Sequence, residues 1–241
     1  MDNENCKLYQ GDCLNVIDKL IKNGIQVDLI ITDPPYKTTK RGISSKTNTG
    51  GLVRSELGKQ GKIFKHNDIT PEEFIPKLYE ILKPNSHCYI MTNHVNLQRM
   101  LNVATDCGFH FIKCLIWDKG NKIMGQCYMS QYEYILFLRK GKHKKINNCG
   151  TSDIISIPNK KTKNNNGKNL HDTEKPVDLM KILIKNSSLE GDLVLDSFMG
   201  IGSTGIACMR TNRNFIGIEL DENYFNIATQ RIESQFYGSK M

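Results

Sequence analysis

The sequence predicts an α/β fold in which a mostly parallel sheet of seven strands is covered by helices on both faces. Three observations carry that expectation. Apolar strand-like runs alternate with amphipathic helix-like runs along the 241 residues, the pattern of sheets assembled from crossover units. Val27-Asp28-Leu29-Ile30-Ile31-Thr32 closes on Asp33-Pro34-Pro35-Tyr36, where two prolines supply no N–H donors and push the preceding residues out of helical geometry. Leu193 to Asp196 leads into Gly200-x-Gly202-x-x-Gly205 and a helical run, the strand–turn–helix setting in which a backbone passes close to a ligand.

The elements follow in order. Strands are expected at 7–10, 27–32, 87–92, 111–117, 132–138, 192–196 and 214–219, and helices at 13–22, 71–83, 95–106, 175–188, 203–211 and 221–236. Thr70, Pro71 and Glu73 form a cap, a first-turn proline and a capping box, with Phe74, Ile75, Leu78, Ile81 and Leu82 on one face. Phe225, Ala228, Ile232 and Phe236 line one face of the last helix in the same way. No helical pattern separates 111–117 from 132–138, so these form an antiparallel hairpin at a sheet edge. About 36 residues follow Gly205, enough for one strand and one helix. The third strand of that half-sheet is therefore the N-terminal run Lys7 to Gln10. The order is circularly rotated, and the carboxyl ends of 193–196 and 27–32 meet at the switch point where open α/β sheets bind ligands.

Length and composition fit a single α/β domain spanning 1–241. No run approaches the roughly 20 apolar residues of a membrane helix. The polar start Met1-Asp2-Asn3-Glu4-Asn5 lacks the features of a secretory signal, so the cytoplasm is expected. Eight cysteines are scattered without a Cys-x-x-Cys pair or zinc spacing, which points to reduced thiols, most of them buried, and to no metal. Net charge is +8 but uneven. Residues 37–66 hold eight Lys/Arg against Glu56, and residues 139–168 hold nine against Asp153. Two such segments, rich in Gly, Ser, Thr and Asn, favour a polyanionic partner.

Asp33 to Tyr36 place a carboxylate, an amide oxygen and an aromatic face together, the parts that hold a flat ring bearing an amino group. At the other terminus Glu219 stands nineteen residues after Gly200 and ends the next strand, where an acid can accept from both ribose hydroxyls. A dinucleotide such as NAD and S-adenosylmethionine both suit this geometry. A dinucleotide domain usually opens with its glycine loop, whereas here the loop comes late, which favours S-adenosylmethionine.

Taken together, Gly11-Asp12, Asp33 to Tyr36, Leu82-Lys83-Pro84, Ile116-Trp117-Asp118-Lys119, His171-Asp172-Thr173-Glu174-Lys175-Pro176 and Asp196 to Gly205 make nearly the whole chain resemble the amino-group DNA methyltransferases of the β arrangement. In that family the Asp-Pro-Pro-Tyr motif precedes target recognition and the cofactor loop lies near the C-terminus. Two departures are Asp172 where the family commonly has Pro and Asn85-Ser86 where it usually has Gly-Gly. The resemblance implies a Rossmann-like methyltransferase fold and methyl transfer from S-adenosylmethionine to the exocyclic amino group of a flipped-out adenine. It assigns catalysis to Asp33, Pro34, Pro35 and Tyr36. Because the family places target recognition between the Trp117–Lys119 region and His171, it also implies that 139–168 is a short target-recognition segment and 37–66 a basic insertion that clamps duplex DNA, both mobile without DNA. The DNA contacts then expected are Lys37, Lys40, Arg41, Arg54, Lys142, Lys144, Lys145, Lys160 and Lys161. The resemblance assigns the cofactor to Asp12, Cys13, Asp33, His171, Thr173, Lys175, Asp196, Phe198, Gly200, Gly202, Ser203, Thr204, Glu219 and Leu220, with Lys175 and Thr173 beside the methionine carboxylate. A simpler reading of 171–176 is a helix start capped by Thr173. Cytosine N4 is the competing target; Asp at position 33 leans toward adenine, since the family's cytosine enzymes more often carry Ser there. More distant readings are transfer to a protein glutamine, a catalytically silent nucleic-acid-binding protein and an NAD-dependent dehydrogenase. A second copy of the chain and a partner restriction nuclease both stay open.

Overall fold

Alternation along the strands sorts the core into two apolar layers. In β3 (Val27–Thr32), Leu29 and Ile31 join one cluster and Ile30 the other, as a period of two requires; Val27 joins Ile30's cluster because the strand register shifts between Val27 and Leu29. The computed structural model describes residues 2–3, 5–35, 68–123, 127–163, 166–167, 170 and 173–237. Tyr36, His171 and the whole expected clamp 37–66, with Lys37, Lys40, Arg41 and Arg54, lie outside them.

The strands are β1 (Asp2–Asn3), β2 (Cys6–Gln10), β3, β4 (Leu82–Thr92), β5 (His110–Ile123), β6 (Ser130–Lys140), β7 (Ile154–Ser156), β8 (Leu193–Asp196) and β9 (Asn214–Glu219). Helices α1 (Cys13–Lys22), α2 (Pro71–Ile81), α3 (Leu97–Asp106), α4 (Val177–Ser187), α5 (Ser203–Met209) and α6 (Glu222–Tyr237) connect them. One sheet runs in the order β1-β2-β9-β8-β3-β4-β6-β5-β7. Helices α1, α2 and α3 pack on one face, and α4, α5 and α6 on the other.

The rotated order predicted from the sequence is the order observed. The N-terminal β2 pairs in parallel with β9, Gln10 opposite Glu219, and β3 lies parallel to β8, Ile30 opposite Leu195. Strands β5 and β6 are antiparallel, as expected, and β6 also runs antiparallel to β4. The hairpin is not the edge itself, because β7 adds in parallel outside β5. Among the described residues nine strands therefore replace the seven expected. β1 and β7 are two and three residues long, too short for a periodic signal, and form by pairing to strands already in place.

Boundaries also shift. Helix α2 stops at Ile81 instead of residue 83, because Leu82 already pairs with Val27 and Pro84 holds Lys83 extended. At its start the Glu73 carboxylate accepts from Thr70 N at 2.7 Å. Helix α4 begins at Val177 with Pro176 at the cap position, so Thr173 is not its cap and Lys175 precedes the helix. Half of the eight cysteines (Cys6, Cys13, Cys88, Cys208) are buried, whereas Cys127 and Cys149 are exposed. Among the described residues no helix is long and apolar enough to cross a membrane.

Candidate active site

At the carboxyl ends of the parallel strands lies a cavity of about 540 Å³. Its wall combines Asp33, Pro34 and Pro35 after β3 with Asp196, Phe198, Gly200, Ser203 and Thr204 after β8. Glu219 and Leu220 after β9, Gly11, Asp12 and Cys13 after β2, and Thr173 and Lys175 before α4 complete it. That volume is in the range of small-molecule sites.

Buried hydrogen bonds hold the two central strand ends together. Asp196 is 4% exposed; its carboxylate accepts from Thr32 Oγ1 at 3.1 Å, Thr204 Oγ1 at 2.6 Å and Phe198 N at 3.1 Å. Thr32 thus belongs to the site as the link from β3 to the glycine loop. At the cavity rim, Glu219 accepts from Gly200 N and from Asp221 N, each at 2.9 Å, and burial raises its carboxyl above the usual range. Asp12 caps α1 by accepting from Asn15 N at 3.0 Å. Burial pushes the Cys13 thiol up to about 12, so it stays neutral and serves as apolar wall.

The glycines divide their work. Gly200 lines the cavity. Gly202 does not: it sits at φ 84°, and a Cβ there would meet Ile232 and Ala228 of α6 at 3.0 and 3.2 Å. A Cβ on Gly205 would fall 2.5 Å from Ile232 Cδ1 and 2.8 Å from Phe215 Cε1. These two let α5 nest between β9 and α6.

Around Asp33 the charges alternate. Lys175 Nζ donates to Asp33 Oδ2 and faces Glu133 Oε2 at 3.4 Å. Glu133 accepts from Lys119 through its other oxygen. Burial raises the Asp33 carboxyl; Lys175 opposes the rise and the Glu133 charge adds to it. For Glu133, the two ammonium groups outweigh burial and hold its carboxyl below the ordinary range. The remaining oxygen, Asp33 Oδ1, is buried and has no hydrogen-bond donor among the described residues. An acceptor left bare beside a cavity is costly unless something that enters satisfies it. This end of the site therefore calls for a donor such as an amino hydrogen.

A family model described as DNA methylase, N6_N4_Mtase, matches residues 27–230. The chain belongs to this family. It is 30% identical over 251 residues to the type II methyltransferase M2.MboI of Moraxella bovis, a match covering 95% of this chain and 88% of that one. It is 31% identical over 248 residues to the type II methyltransferase M2.DpnII of Streptococcus pneumoniae, covering 95% and 90%. Among solved structures, the M1.HpyAVI–SAM complex superposes with a TM-score of 0.71 at 25% identity, covering 94% of this chain and 99% of that one.

Not every residue expected from the sequence stands at the site of this DNA methylase. Lys140 pairs with Ser86 near the start of β4, and Lys142 N donates to Asn85 Oδ1 at 2.7 Å. From Ser86 to Thr92 the strand runs about 20 Å, so Lys142, Lys144 and Lys145 lie at the end of the sheet away from Asp33. Backbone bonds explain the placement: Lys144 O meets the buried His87 Nε2 at 3.1 Å, and Asn147 N donates to Asn186 O at 2.7 Å. Segment 139–168 then returns along β5, and Ser156 reaches Asp118. It brings exposed Lys160 and half-buried Lys161 to the cavity end, where Thr162 bonds Glu174. Lys175 lines the cavity, and its ammonium pairs with Asp33 and faces Glu133. Glu133 was missed altogether. Its one signal is a carboxylate in a strand directly opposite Trp117, which reads locally as an exposed edge charge.

The methylase's Asp196 has a measurable consequence for stability. Burial lifts its carboxyl from 3.8 to about 7, against the lowering effect of the Thr204, Phe198 and Thr32 hydrogen bonds. The folded chain thus holds this proton where the unfolded chain has released it, and stability falls as pH rises through that window. Asn at position 196 keeps the volume and can satisfy both hydroxyls. Asp196→Asn is expected to stabilise the protein at pH 8 by on the order of 2–4 kcal/mol, with the gain gone near pH 4. Urea unfolding at both pH values checks this; an equal gain at each would contradict it.

Proposed function

We propose that this DNA methylase transfers the methyl group of S-adenosylmethionine to the exocyclic amino group of an adenine rotated out of duplex DNA. One observation carries the reading: Asp33, whose buried Oδ1 has no hydrogen-bond donor among the described residues, lines the same cavity as the glycine loop and Glu219. The residues present suit the cofactor. Glu219 offers further lone pairs at a nucleoside-binding strand end, Gly11 and Gly200 leave backbone close to the cavity, and Phe198 and Ile218 give it apolar wall. When bound, the cofactor supplies a sulfonium methyl group.

The chain's own part is positioning. Asp33 Oδ1 accepts one amino hydrogen and the Pro34 carbonyl the other. That draws the nitrogen lone pair out of the ring π system and toward the methyl donor. Neither group is required to remove a proton before transfer, because the methylated amine is acidic enough to lose one afterwards. The contribution is orientation and a preset field at the strand ends. Extruding the base costs a few kcal/mol, and stacking on Tyr36 offsets roughly 1–3 kcal/mol of that. Lys160 and Lys161, on the cavity side, are the DNA contacts retained from segment 139–168. The DNA contacts of 37–66 remain part of the proposal. The polar cap Asp12 and the Ser203 and Thr204 hydroxyls sit at the cofactor end of the cavity.

Methylation of duplex DNA by the purified protein, digestion to nucleosides and mass analysis tests the target. N6-methyladenine is the expected product; N4-methylcytosine in its place would overturn the adenine assignment.

A further inference from the structure

Three carboxylates and two ammonium groups meet around the cavity's catalytic end, and the proposed reaction uses the functional atoms of only some of them. Asp33 follows β3, Lys175 precedes α4, Glu133 sits on β6, Lys119 on β5 and Asp196 ends β8. Asp196 faces inward onto Thr32, Thr204 and the Phe198 amide. The other four form a chain of alternating sign, Asp33–Lys175–Glu133–Lys119. Glu133 does not line the cavity, and its side chain is 19% exposed.

Trp117 makes this chain rigid. It is 1% exposed, is fixed by donation from its indole N–H to Ile157 O at 2.9 Å, and stands directly opposite Glu133 across the β5–β6 ladder. Lys119 Nζ lies 5.2 Å and Lys175 Nζ 6.0 Å from the centre of its ring, within cation–π range. Both ammonium groups are thus held over one aromatic plate, and Glu133 ties them together.

An ammonium has three donors and no acceptor. Beside a lone carboxylate it can swing across both oxygens. Among the described residues, Lys175 donates to Oδ2 of Asp33 and not to Oδ1, and Glu133 Oε2 and Thr173 O each stand 3.4 Å from its ammonium. Oδ1 is thereby left bare. We propose that Glu133 is a positioning residue for methyl transfer: it draws Lys175 to one side of Asp33 and so keeps Oδ1 open for the substrate's amino hydrogen. Lys119 neutralises Glu133, so the anchor adds no net charge beside the donor site. The inference rests on the reading of Asp33 as the acceptor.

Glu133→Gln keeps the side chain's volume and weakens its hold on Lys175. The single-turnover rate is expected to fall roughly ten- to a hundred-fold, the scale of a misplacement of about 1 Å, with cofactor affinity unchanged. The rate's acid limb should also move to lower pH. Glu133 raises the Asp33 carboxyl, while Lys175 and Lys119 lower it, so removing the anion favours ionised Asp33. A structural defect would not produce that shift. The double variant Lys119→Met with Glu133→Gln removes a complementary pair and relieves the unpaired ammonium. It should fold and still turn over slowly, because Lys175 has lost its anchor. Recovery of the wild-type rate in the double variant, or a wild-type rate and pH profile in Glu133→Gln, would overturn the proposal. Asp33→Asn assayed alongside separates the two levels: if it remains active the reading of Asp33 fails, and if it is inactive while Glu133→Gln is normal only the role of Glu133 fails.

Discussion

Asp33→Asn lowers the single-turnover rate of methyl transfer about 10²–10³-fold, while the protein still binds DNA and cofactor. The reason is the direction in which the new amide must point. The Lys175 side chain, 7% exposed and bonded through Nζ to Oδ2, has only donors to offer. It will hold the asparagine oxygen, which turns the NH₂ toward the position of Oδ1. A donor then meets the substrate's amino hydrogens where an acceptor is needed. The loss is larger than a missing hydrogen bond because the wrong group is present. Radiolabelled methyl transfer to duplex DNA under single-turnover conditions measures the rate, and calorimetry with gel shifts measures binding. Turnover at the wild-type rate would remove Asp33 from the mechanism.

The second large effect falls on stability. Glu174 is 6% exposed and accepts from Arg231 Nη2 at 2.7 Å, Thr162 N at 2.6 Å and Thr162 Oγ1 at 2.9 Å. Arg231 also donates to Ile201 O at 2.7 Å, in the glycine loop. One carboxylate therefore joins the returning arm of segment 139–168, the loop after β8 and helix α6. Removing one partner of a buried pair leaves the other charge uncompensated. Glu174→Ala is expected to cost about 3–5 kcal/mol; Glu174→Gln, which keeps an acceptor for Thr162, should cost less. The arm carrying Lys160, Lys161 and Lys163 should also become an early target for trypsin. Urea denaturation and limited proteolysis check the two outcomes together. A variant as stable and as protease-resistant as the parent would show that the clasp contributes little.

What could be read from the chain was local. The Asp33-Pro34-Pro35 turn was legible because prolines end strands wherever they occur. The Gly200 to Glu219 spacing was legible because a strand–turn–helix–strand unit has a fixed length. The lateness of that unit required β2 to complete its half-sheet, and β2 does pair with β9. By contrast, the end of α2 at Ile81 depends on Leu82 meeting Val27, a contact between segments more than fifty residues apart. β7 exists only because β5 offers it an edge.

The same division runs through the site. Sequence by itself determined which atoms stand at the strand ends: a carboxylate after β3, a glycine loop after β8 and an acid after β9, each set by short-range backbone rules. Tertiary structure alone decided the partners of those atoms. Coulomb attraction and desolvation act across strands and at close range, so Lys175 went to Asp33 and Glu133. Lys142, Lys144 and Lys145, equal to Lys160 and Lys161 in any count of charge, were carried by the β6 register to the opposite end of the sheet.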